Sequence, residues 1–372
     1  MLQLGSARPS SSRTSHPCRQ TPRRRATRCA AAPGVVGSSS RVEVHRFLWT
    51  EDGLFGDASG GLASELREHF DARFAAPRAT AGDALAGRFV WDYWHVPGQY
   101  AHMRTPAAEF FPAALGGALE DALLTWGRAQ LGCAGMTPLW LSYYVDGHRQ
   151  ELHADVPNGP FAFVLSLTLW DGEGGDGGGG GARAFRGGET LVLRPTTLDY
   201  WSHYDAGSVV EFRELADLVA PRFGRLTVFD PRLPHGVREV QGTRDPREGR
   251  VVLHGWFADP RPCFEGALDE ADLEAALNAG LPPLYHALLD ADAGMPDVVG
   301  GLLVLRIHVQ GRDGTVGDVE VTANTLVLAP GQPHDAMADI LECVALHVGA
   351  LAFPAAPDGA SPSVVTLPLV FE

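Results

Sequence analysis

The stretch that decides the fold spans residues 139–170 and reads LWLSYYVDGHRQELHADVPNGPFAFVLSLTLW. Two apolar runs of strand length, Leu139–Val145 and Phe161–Trp170, enclose a polar segment that contains His153-Ala154-Asp155. Side chains two residues apart on a strand point to the same side, so we expect this imidazole and this carboxylate to lie side by side. The stretch therefore predicts strands with two candidate metal ligands at a strand end.

More elements precede and follow this stretch. Leu62, Leu66, Phe70 and Phe74 recur every four residues and predict a helix, and a second helix is expected over residues 107–131. Further runs of strand length are Thr190–Leu193, Arg225–Phe229 and Val251–Phe257. Many short strands separated by glycine and proline indicate a sandwich, barrel or jelly roll. Helices followed by such a β core predict an α+β domain, and the glycine-rich residues 171–184 are interpreted as a spacer.

The C-terminal part carries a second pattern. Residues 266–290 predict an acidic helix that Pro282 and Pro283 break. Leu305, Ile307 and Val309 then alternate with polar residues, as in a strand. The pattern continues as a turn, a strand, a helix and a final strand over Gly311–Asp318, Val319–Ala323, Asp335–Leu351 and Val364–Phe371. We expect a small β-β-α-β unit that folds by itself from about residue 297.

His235 is the candidate for a third metal ligand, because it follows the end of the apolar strand at residues 225–229. Two histidines and one carboxylate on one face of a metal leave three positions open, which suits non-haem Fe(II) with oxygen and a bidentate cosubstrate. Zinc, by contrast, prefers a tetrahedral site and would not need the arginine described next. Arg250 begins a later strand and is a candidate partner for the far carboxylate of 2-oxoglutarate, because a guanidinium binds a carboxylate with two donors and stays charged.

Four pieces of this region, in order, resemble the prolyl 4-hydroxylase-like 2-oxoglutarate oxygenases, especially the ribosomal prolyl hydroxylase branch. They are Tyr144–Gly147 before His153-Ala154-Asp155, Phe185–Thr190, Pro221–Leu226 leading to Phe229, and His235–Val240 followed by Arg250 through Phe257. The resemblance covers residues 41–262. It implies a double-stranded β-helix, or jelly roll, with N-terminal helices in front of it.

The same resemblance implies roles for individual residues. His153, Asp155 and His235 would bind Fe(II), and Arg250 would bind 2-oxoglutarate. Because a short insertion separates His235 from the anchor, Arg244 is a rival for that role.

Other positions are implied near the cosubstrate. They are Tyr144, with Tyr143 as the alternative because the strand register is open, and Thr168. Alternation along the anchor strand puts Val252 and His254 on the side of the arginine. Relatives often carry Ser or Thr where this chain has Val252, and His254 is interpreted either as a donor to the cosubstrate or as a packing residue. The aromatic stretch 91–102 is expected in the core, with a substrate-groove wall as the alternative.

The implied reaction is hydroxylation of a peptidyl proline or a similar side chain, with succinate and carbon dioxide as coproducts. The resemblance allows for ascorbate as an accessory reductant. Two alternatives stay open: the same iron chemistry on a small metabolite, and a catalytically silent barrel that serves as a binding module. Asp155 disfavours a halogenase, in which a small residue typically replaces this carboxylate.

The last part of the chain resembles the C-terminal domain of TonB and its soluble relatives. The matching pieces are Val304–Val309, Gly311–Val316, Val319–Val321, Leu351–Pro354 and Leu367–Phe371. This unit is a candidate for binding a protein partner. The predicted division is a transit peptide at 1–40, a dioxygenase domain at 41–265, a helical linker at 266–296 and the TonB-like domain at 297–372.

The first 40 residues differ in composition from the rest. They contain seven arginines, many serines and no acidic residue. An arginine- and serine-rich, acid-poor N-terminal segment is typical of an organellar transit peptide. Because Arg28–Ala32 resembles a plastid processing region, we expect the chloroplast, with the mitochondrion as the alternative.

Charge and hydropathy exclude two classes of partner. The whole chain has a net charge of −15, and without the seven arginines the 23 basic and 45 acidic residues leave −22. Such a surface repels phosphate backbones, so nucleic-acid binding is not expected. No apolar run approaches the roughly 20 residues that cross a bilayer, so no membrane association is expected either.

Residues 1–40 fused to a fluorescent protein should carry it into plastids, because an acid-free, arginine-rich segment fits no folded element. Fluorescence microscopy beside a plastid marker, with the fluorescent protein alone as control, measures this. Fluorescence confined to the cytosol would contradict the assignment.

Overall fold

The computed structural model describes residues 47–57, 59–75, 91–156, 158–169, 185–197, 210–289, 295–332 and 336–371. The predicted transit peptide and the glycine-rich segment lie outside these residues. Among the described residues, no helix is both long enough and apolar enough to cross a membrane.

Twelve strands within the described residues form one antiparallel sheet, here the first sheet. They are β1 (Leu48–Glu51), β2 (Asp92–Val96), β3 (Tyr100–Pro106), β4 (Cys133–Met136), β5 (Trp140–Tyr144), β6 (Arg149–His153), β7 (Phe161–Ser166), β8 (Thr190–Leu193), β9 (Ala216–Val219), β10 (Leu226–Phe229), β11 (His235–Val237) and β12 (Arg250–Pro260). Their order is β1-β10-β7-β12-β5-β3-β6-β11-β8-β9, with β2 beside β3 and β4 beside β12.

The first sheet curls on itself. Strands β7, β12 and β5 are neighbours on one part of the path, whereas β6, β11 and β8 are neighbours on another. Side chains from both parts nevertheless line a single cavity. This is the jelly-roll core of the predicted α+β fold, so the predicted fold class is confirmed.

Helices α1 (Leu62–Ala75), α2 (Ala107–Phe110) and α3 (Ala113–Leu131) accompany this sheet, and a short α4 covers Phe212–Leu215. Helix α1 lies where the spacing of its apolar residues predicts it, with Leu66 and Phe70 fully buried.

The helix predicted over residues 107–131 is interrupted. Phe111 has an extended backbone, with φ of −90° and ψ of 151°, and Pro112 follows it. Proline disfavours helical geometry in the residue before it, so α2 ends at Phe110 and α3 begins after Pro112. Gly132 then ends α3 in the left-handed conformation that glycine adopts readily, with φ of 59°.

A second sheet holds the C-terminal part. Its strands are β13 (Cys263–Gly266), β14 (Val298–Val309), β15 (Val316–Asn324), β16 (Val327–Leu328) and β17 (Ser363–Phe371), in the order β13-β17-β14-β15 with β16 beside β14. Three helices belong to this part: α5 (Glu270–Gly280), α6 (Pro282–Leu289) and α7 (Ala336–Gly349). The predicted β-β-α-β order from β14 to β17 is present, with β16 as an addition.

Two features differ from the predicted division of the chain. Strand β13 pairs with β17, so the second sheet begins at Cys263 and not at residue 297. Helices α5 and α6 are not a linker, because Leu273, Leu277 and Leu284 are buried in the same apolar core as Ile307. An amphipathic helix gains most of its stability by burying its apolar face, and here the second sheet provides the partner surface.

The two sheets also share a core. Leu302, Val304 and Ala323 of the second sheet belong to the same buried cluster as the helices and strands of the first. Trp49 Nε1 donates a hydrogen bond of 3.0 Å to the backbone oxygen of Thr322. A fragment that starts at residue 297 would therefore expose apolar surface on two sides, which argues against independent folding from that point.

Replacing Leu284 with alanine should lower the free energy of unfolding by about 2–5 kcal/mol, because the side chain is fully buried and its removal leaves a cavity. Leu289 lies on the same helix but is 63% exposed, so Leu289→Ala should change that energy by less than about 0.5 kcal/mol. Chemical denaturation of both variants measures the difference. Equal, small effects would mean that α6 is a linker after all.

Candidate metal centre

Two antiparallel strands bring the predicted metal ligands together. His153 is the last residue of β6 and His235 is the first of β11, and these two residues are direct partners in the register. Gly236 permits this pairing, because a Cβ atom there would lie 2.6 Å from the backbone oxygen of Gln150. Asp155 follows two residues after His153, and its backbone N–H donates a 3.0 Å hydrogen bond to Pro231 O.

The three side chains form one compact cluster. Asp155 Oδ2 lies 3.3 Å from His235 Nε2, and Asp155 Oδ1 lies 3.5 Å from His153 Nε2. The candidate ligand atoms all lie within 4.8 Å of one another. This spacing allows one metal ion to contact all three.

The hydrogen bonds of the two imidazoles decide which nitrogen faces the cluster. His153 Nδ1 lies 2.8 Å from Glu151 O, and His235 Nδ1 lies 2.9 Å from Leu233 O. A carbonyl oxygen only accepts, so each Nδ1 donates, and each neutral ring keeps its Nε2 lone pair for the cluster. Lone pairs of both rings and both oxygens of Asp155 then converge, and a cation among them relieves their repulsion.

The ionisation of the cluster also suits a metal. Burial lowers the pKa of His153, which favours the neutral ring. Burial alone would raise the pKa of Asp155, but a proton on His235 Nε2, with charge on the two histidines, brings it below its ordinary value, and a metal ion would take the place of that proton. Two neutral imidazoles and a carboxylate are the deprotonated ligands that metal binding requires.

The cluster lies in a cavity of about 150 Å³ inside the curled sheet, here the metal cavity. Arg250, Val252, His254 and Trp256 all line it, as alternation along β12 predicts. The three candidate metal ligands line the same cavity, so the two predicted parts of the site are in one place.

Arg250 is almost completely buried, at 1% exposure. Its Nη2 donates a 3.1 Å hydrogen bond to Thr190 Oγ1, and its guanidinium carbon lies 4.7 Å from the centre of the Tyr144 ring. Nε and Nη1 have no hydrogen-bond partner among the described residues. A buried charge with unpaired donors is costly, so this part of the cavity is suited to an anion that accepts hydrogen bonds from the guanidinium.

Tyr144 and His254 form part of the wall around this arginine. Tyr144 Oη donates a 3.0 Å hydrogen bond to Gln150 Oε1, and burial raises the pKa of Tyr144 to about 12. Burial, helped by the charge of Arg250, lowers the pKa of His254 to about 4. His254 is therefore neutral at pH 7, and its Nε2 lies 2.9 Å from Ser142 Oγ, so its hydrogen bond is with a core serine and not with Tyr144.

Three predicted residues lie outside the metal cavity. Tyr143 points to the other side of β5, where its ring lies 4.7 Å from that of Trp91. Thr168 Oγ1 accepts from the backbone N–H of Val251 at 3.0 Å and donates to its oxygen at 3.1 Å, so it joins two chain segments. Arg244 is exposed on the inserted loop. Of the two alternatives on β5, Tyr144 lines the metal cavity and Tyr143 does not, and the threonine that lines it beside Arg250 is Thr190 instead of Thr168.

Thr190 was missed by the sequence reasoning, although it ends the matching piece Phe185–Thr190. The aromatic stretch 91–102 was expected in the core, with a substrate-groove wall as the alternative, and each interpretation applies to some of its residues. Trp91 packs in the core, whereas Trp94 and Tyr100 line the metal cavity. Alternation along the hairpin of β2 and β3 was the available signal.

Arg104 is a second arginine of this cavity that the sequence did not reveal. Its guanidinium carbon lies 3.2 Å from the centre of the Trp94 ring and 4.2 Å from that of Trp140. Its Nε also donates to Asp92 Oδ2 at 3.3 Å. Arg104 is therefore held by two aromatic rings and one carboxylate, whereas Arg250 has no carboxylate partner among the described residues. We interpret Arg104 as part of the wall at the cavity mouth.

Comparison with known proteins gives matches among solved structures alone. No model of a protein family matches the chain, and no curated protein matches it. A Pseudomonas putida prolyl-4-hydroxylase is 17% identical, with 57% of this chain and 91% of that one covered and a TM-score of 0.34. A Burkholderia pseudomallei oxidoreductase of the 2OG-Fe(II) oxygenase family is 18% identical, with 55% and 93% covered and a TM-score of 0.31.

A third similar structure is HygX from Streptomyces hygroscopicus, described with nickel and 2-oxoglutarate bound. It is 13% identical, with 56% of this chain and 81% of that one covered and a TM-score of 0.34. Similarity at this level decides nothing about chemistry, so the function has to be judged from the residues of the site.

His235→Ala should weaken Co(II) binding, used as an air-stable substitute for Fe(II), by more than about 100-fold. Loss of residues that only support metal ligands typically costs 10- to 100-fold, and loss of a ligand should exceed that. Calorimetric titration at pH 7 measures the affinity, with His95→Ala as control because His95 is exposed and lies outside the cluster. Unchanged affinity in His235→Ala would remove this residue from the metal centre.

Proposed function

We propose that this chain is an Fe(II)- and 2-oxoglutarate-dependent dioxygenase that hydroxylates a peptidyl proline or a similar side chain. One observation carries the proposal: a two-histidine, one-carboxylate cluster shares a cavity with a buried arginine that has two unpaired donors. The cluster fits a metal, and the arginine fits the far carboxylate of a dicarboxylate bound to that metal.

The donor set favours Fe(II) over other metals. His153, Asp155 and His235 occupy one face of an octahedral ion and leave three positions for 2-oxoglutarate and oxygen. A catalytic zinc would need a single open position and would give the arginine no role. Bound Fe(II), with 2-oxoglutarate and oxygen, supplies hydroxylation of a C–H bond, with succinate and carbon dioxide as coproducts.

The protein's own contribution is to hold and orient. Arg250 would bind the carboxylate of 2-oxoglutarate with two N–H groups on one edge of its guanidinium, while the hydrogen bond to Thr190 Oγ1 keeps the guanidinium in place. Tyr144, Val237 and Val252 are buried around it and keep water away from this ion pair. An ion pair in such a water-poor site is stronger than one at the surface, so the cosubstrate would be held in one orientation.

The mouth of the metal cavity supports a polypeptide substrate. Trp94, Tyr100, Trp140 and Trp256 are partly exposed aromatic residues that line it. Aromatic-lined grooves are a recurrent way of binding proline-containing segments. We further propose that the chain belongs to the ribosomal prolyl hydroxylase branch, which the four sequence pieces resemble. We also propose that it acts inside the chloroplast.

The test is succinate formation by the purified full chain with Fe(II), 2-oxoglutarate and ascorbate, against plastid protein extract. Mass spectrometry should find a gain of one oxygen atom on a proline or a similar side chain. Turnover only with low-molecular-weight extract would favour a small-metabolite hydroxylase. An absence of succinate with either extract would favour a silent barrel.

Arg250→Ala should raise the Michaelis constant for 2-oxoglutarate by about 30-fold or more, since losing one partner of a buried charge pair costs roughly 2–5 kcal/mol and about 1.4 kcal/mol is tenfold. Arg250→Lys keeps the charge but loses the paired donors, so it should give a smaller rise. Arg244→Ala is the control and should leave the constant unchanged. Steady-state succinate formation measures all three, and a larger effect at Arg244 would place the anchor in the insertion.

A further inference from the structure

A second and larger cavity, of about 740 Å³, lies between the two parts of the chain, and the function proposed above does not use it. We call it the cleft. The first part contributes residues next to the metal ligands, and the second contributes β13, α5, α6 and edges of β14 and β17. Its residues from the first part include Val156, Gly159, Pro160, Arg232 and Arg261.

The cleft adjoins the metal centre along both loops that carry ligands. Asp155 is a candidate ligand, and the next residue, Val156, lines the cleft with 61% of its surface exposed. Asn158 lines the metal cavity, whereas Gly159 lines the cleft. On the other loop, Arg232 lines the cleft three residues before His235. An extended chain advances about 3.3 Å per residue, so a few residues of a bound polypeptide reach from one cavity to the other.

The walls of the cleft are largely apolar and carry unmatched negative charge. Arg232 is paired with Asp230 at 2.6 Å, and Arg261 is paired with Asp259 at 3.4 Å.

Glu270 and Glu274 are the acidic residues of the cleft that these two arginines do not neutralise. They lie one turn apart on α5, are exposed, and make no ion pair with any residue that the structure describes. An occupant of the cleft therefore gains from positive charge beside these glutamates and from apolar side chains against Val156, Phe264 and Tyr285, which are at least partly exposed.

We propose that the cleft binds a basic, extended polypeptide segment that flanks the residue presented to the metal centre. This inference rests on the proposed function, because it assigns a polypeptide as the substrate of that site. A small metabolite would fill the metal cavity alone, and an acidic segment would be repelled by Glu270 and Glu274. The C-terminal part of the chain is then a wall of the substrate site and contributes to its specificity.

The test is the binding of fluorescein-labelled 14-residue peptides to the full chain, followed by fluorescence anisotropy at low salt. Each peptide has a central proline. Two basic peptides carry three arginines that begin four residues before or four residues after the proline, and an acidic peptide carries glutamates in their place. At least one basic peptide should bind, and the acidic peptide should not.

The variant Glu270→Gln/Glu274→Gln should weaken the basic peptide about three- to tenfold, which is the range for two partly exposed charge pairs. The control Glu320→Gln/Glu342→Gln removes the same charge from exposed positions that do not line the cleft, and should change binding less than twofold. Equal effects of the two variants, or no binding of either basic peptide, would overturn the proposal. Tighter binding of a synthetic peptide of residues 1–40 would assign the cleft to the chain's own N-terminal segment instead.

These measurements need neither metal nor turnover, so they separate the two proposals. Binding that depends on the cleft glutamates in a chain that forms no succinate would leave this inference standing and remove the dioxygenase. Succinate formation with a peptide whose affinity is unchanged by Glu270→Gln/Glu274→Gln would leave the dioxygenase standing and remove this inference.

Discussion

The pairing of β6 with β11 is the constraint on which the candidate site depends. It places His235 directly opposite His153, although more than 80 residues separate them along the chain. The close approach requires Gly236, since a side chain there would collide with the backbone oxygen of Gln150. With that register fixed, Asp155 needs only the turn after β6 to complete the cluster, and Nδ1 of each histidine finds a carbonyl two residues before its own position. The geometry of the cluster is therefore a property of the sheet and not of mobile side chains.

Local patterns were sufficient for the parts of the site that lie on one strand. Alternation along β12 placed Arg250, Val252 and His254 on one side, and all three line the metal cavity. The same reasoning could not choose between Tyr143 and Tyr144, because both are aromatic and either side of β5 could face inward. The choice is made by long-range pairing, in which Tyr144 lies opposite Arg250. The sequence could not choose between Arg244 and Arg250 by local pattern alone. The structure leaves Arg244 exposed on the inserted loop and buries Arg250.

The boundaries of the second part show where sequence periodicity stops being informative. The leucines of α5 and α6 mark an apolar face, but nothing in that segment says which surface covers the face. Residues further along the chain, such as Ile307 and Val344, provide it. Conversely, Leu302 and Val304 look like ordinary strand residues of a separate domain, yet they pack into the core of the first part. A repeat of apolar residues predicts burial, whereas the partner of that burial is decided by the whole fold.

Burial of Arg250 lowers the stability of the fold but suits the binding of an anion. A buried guanidinium with two unpaired donors destabilises the chain on its own, and the partial compensation is the ring of Tyr144 and the hydroxyl of Thr190. A chain selected for stability alone would have an apolar residue here, since replacing buried charges by apolar groups is often neutral or stabilising. The cost becomes intelligible if an anion enters the cavity and accepts hydrogen bonds from the guanidinium, because the donors are then already oriented and little reorganisation is needed on binding. The same reasoning applies to the two imidazole lone pairs that face Asp155, so both ends of the metal cavity are incomplete in a way that one metal-bound dicarboxylate would complete.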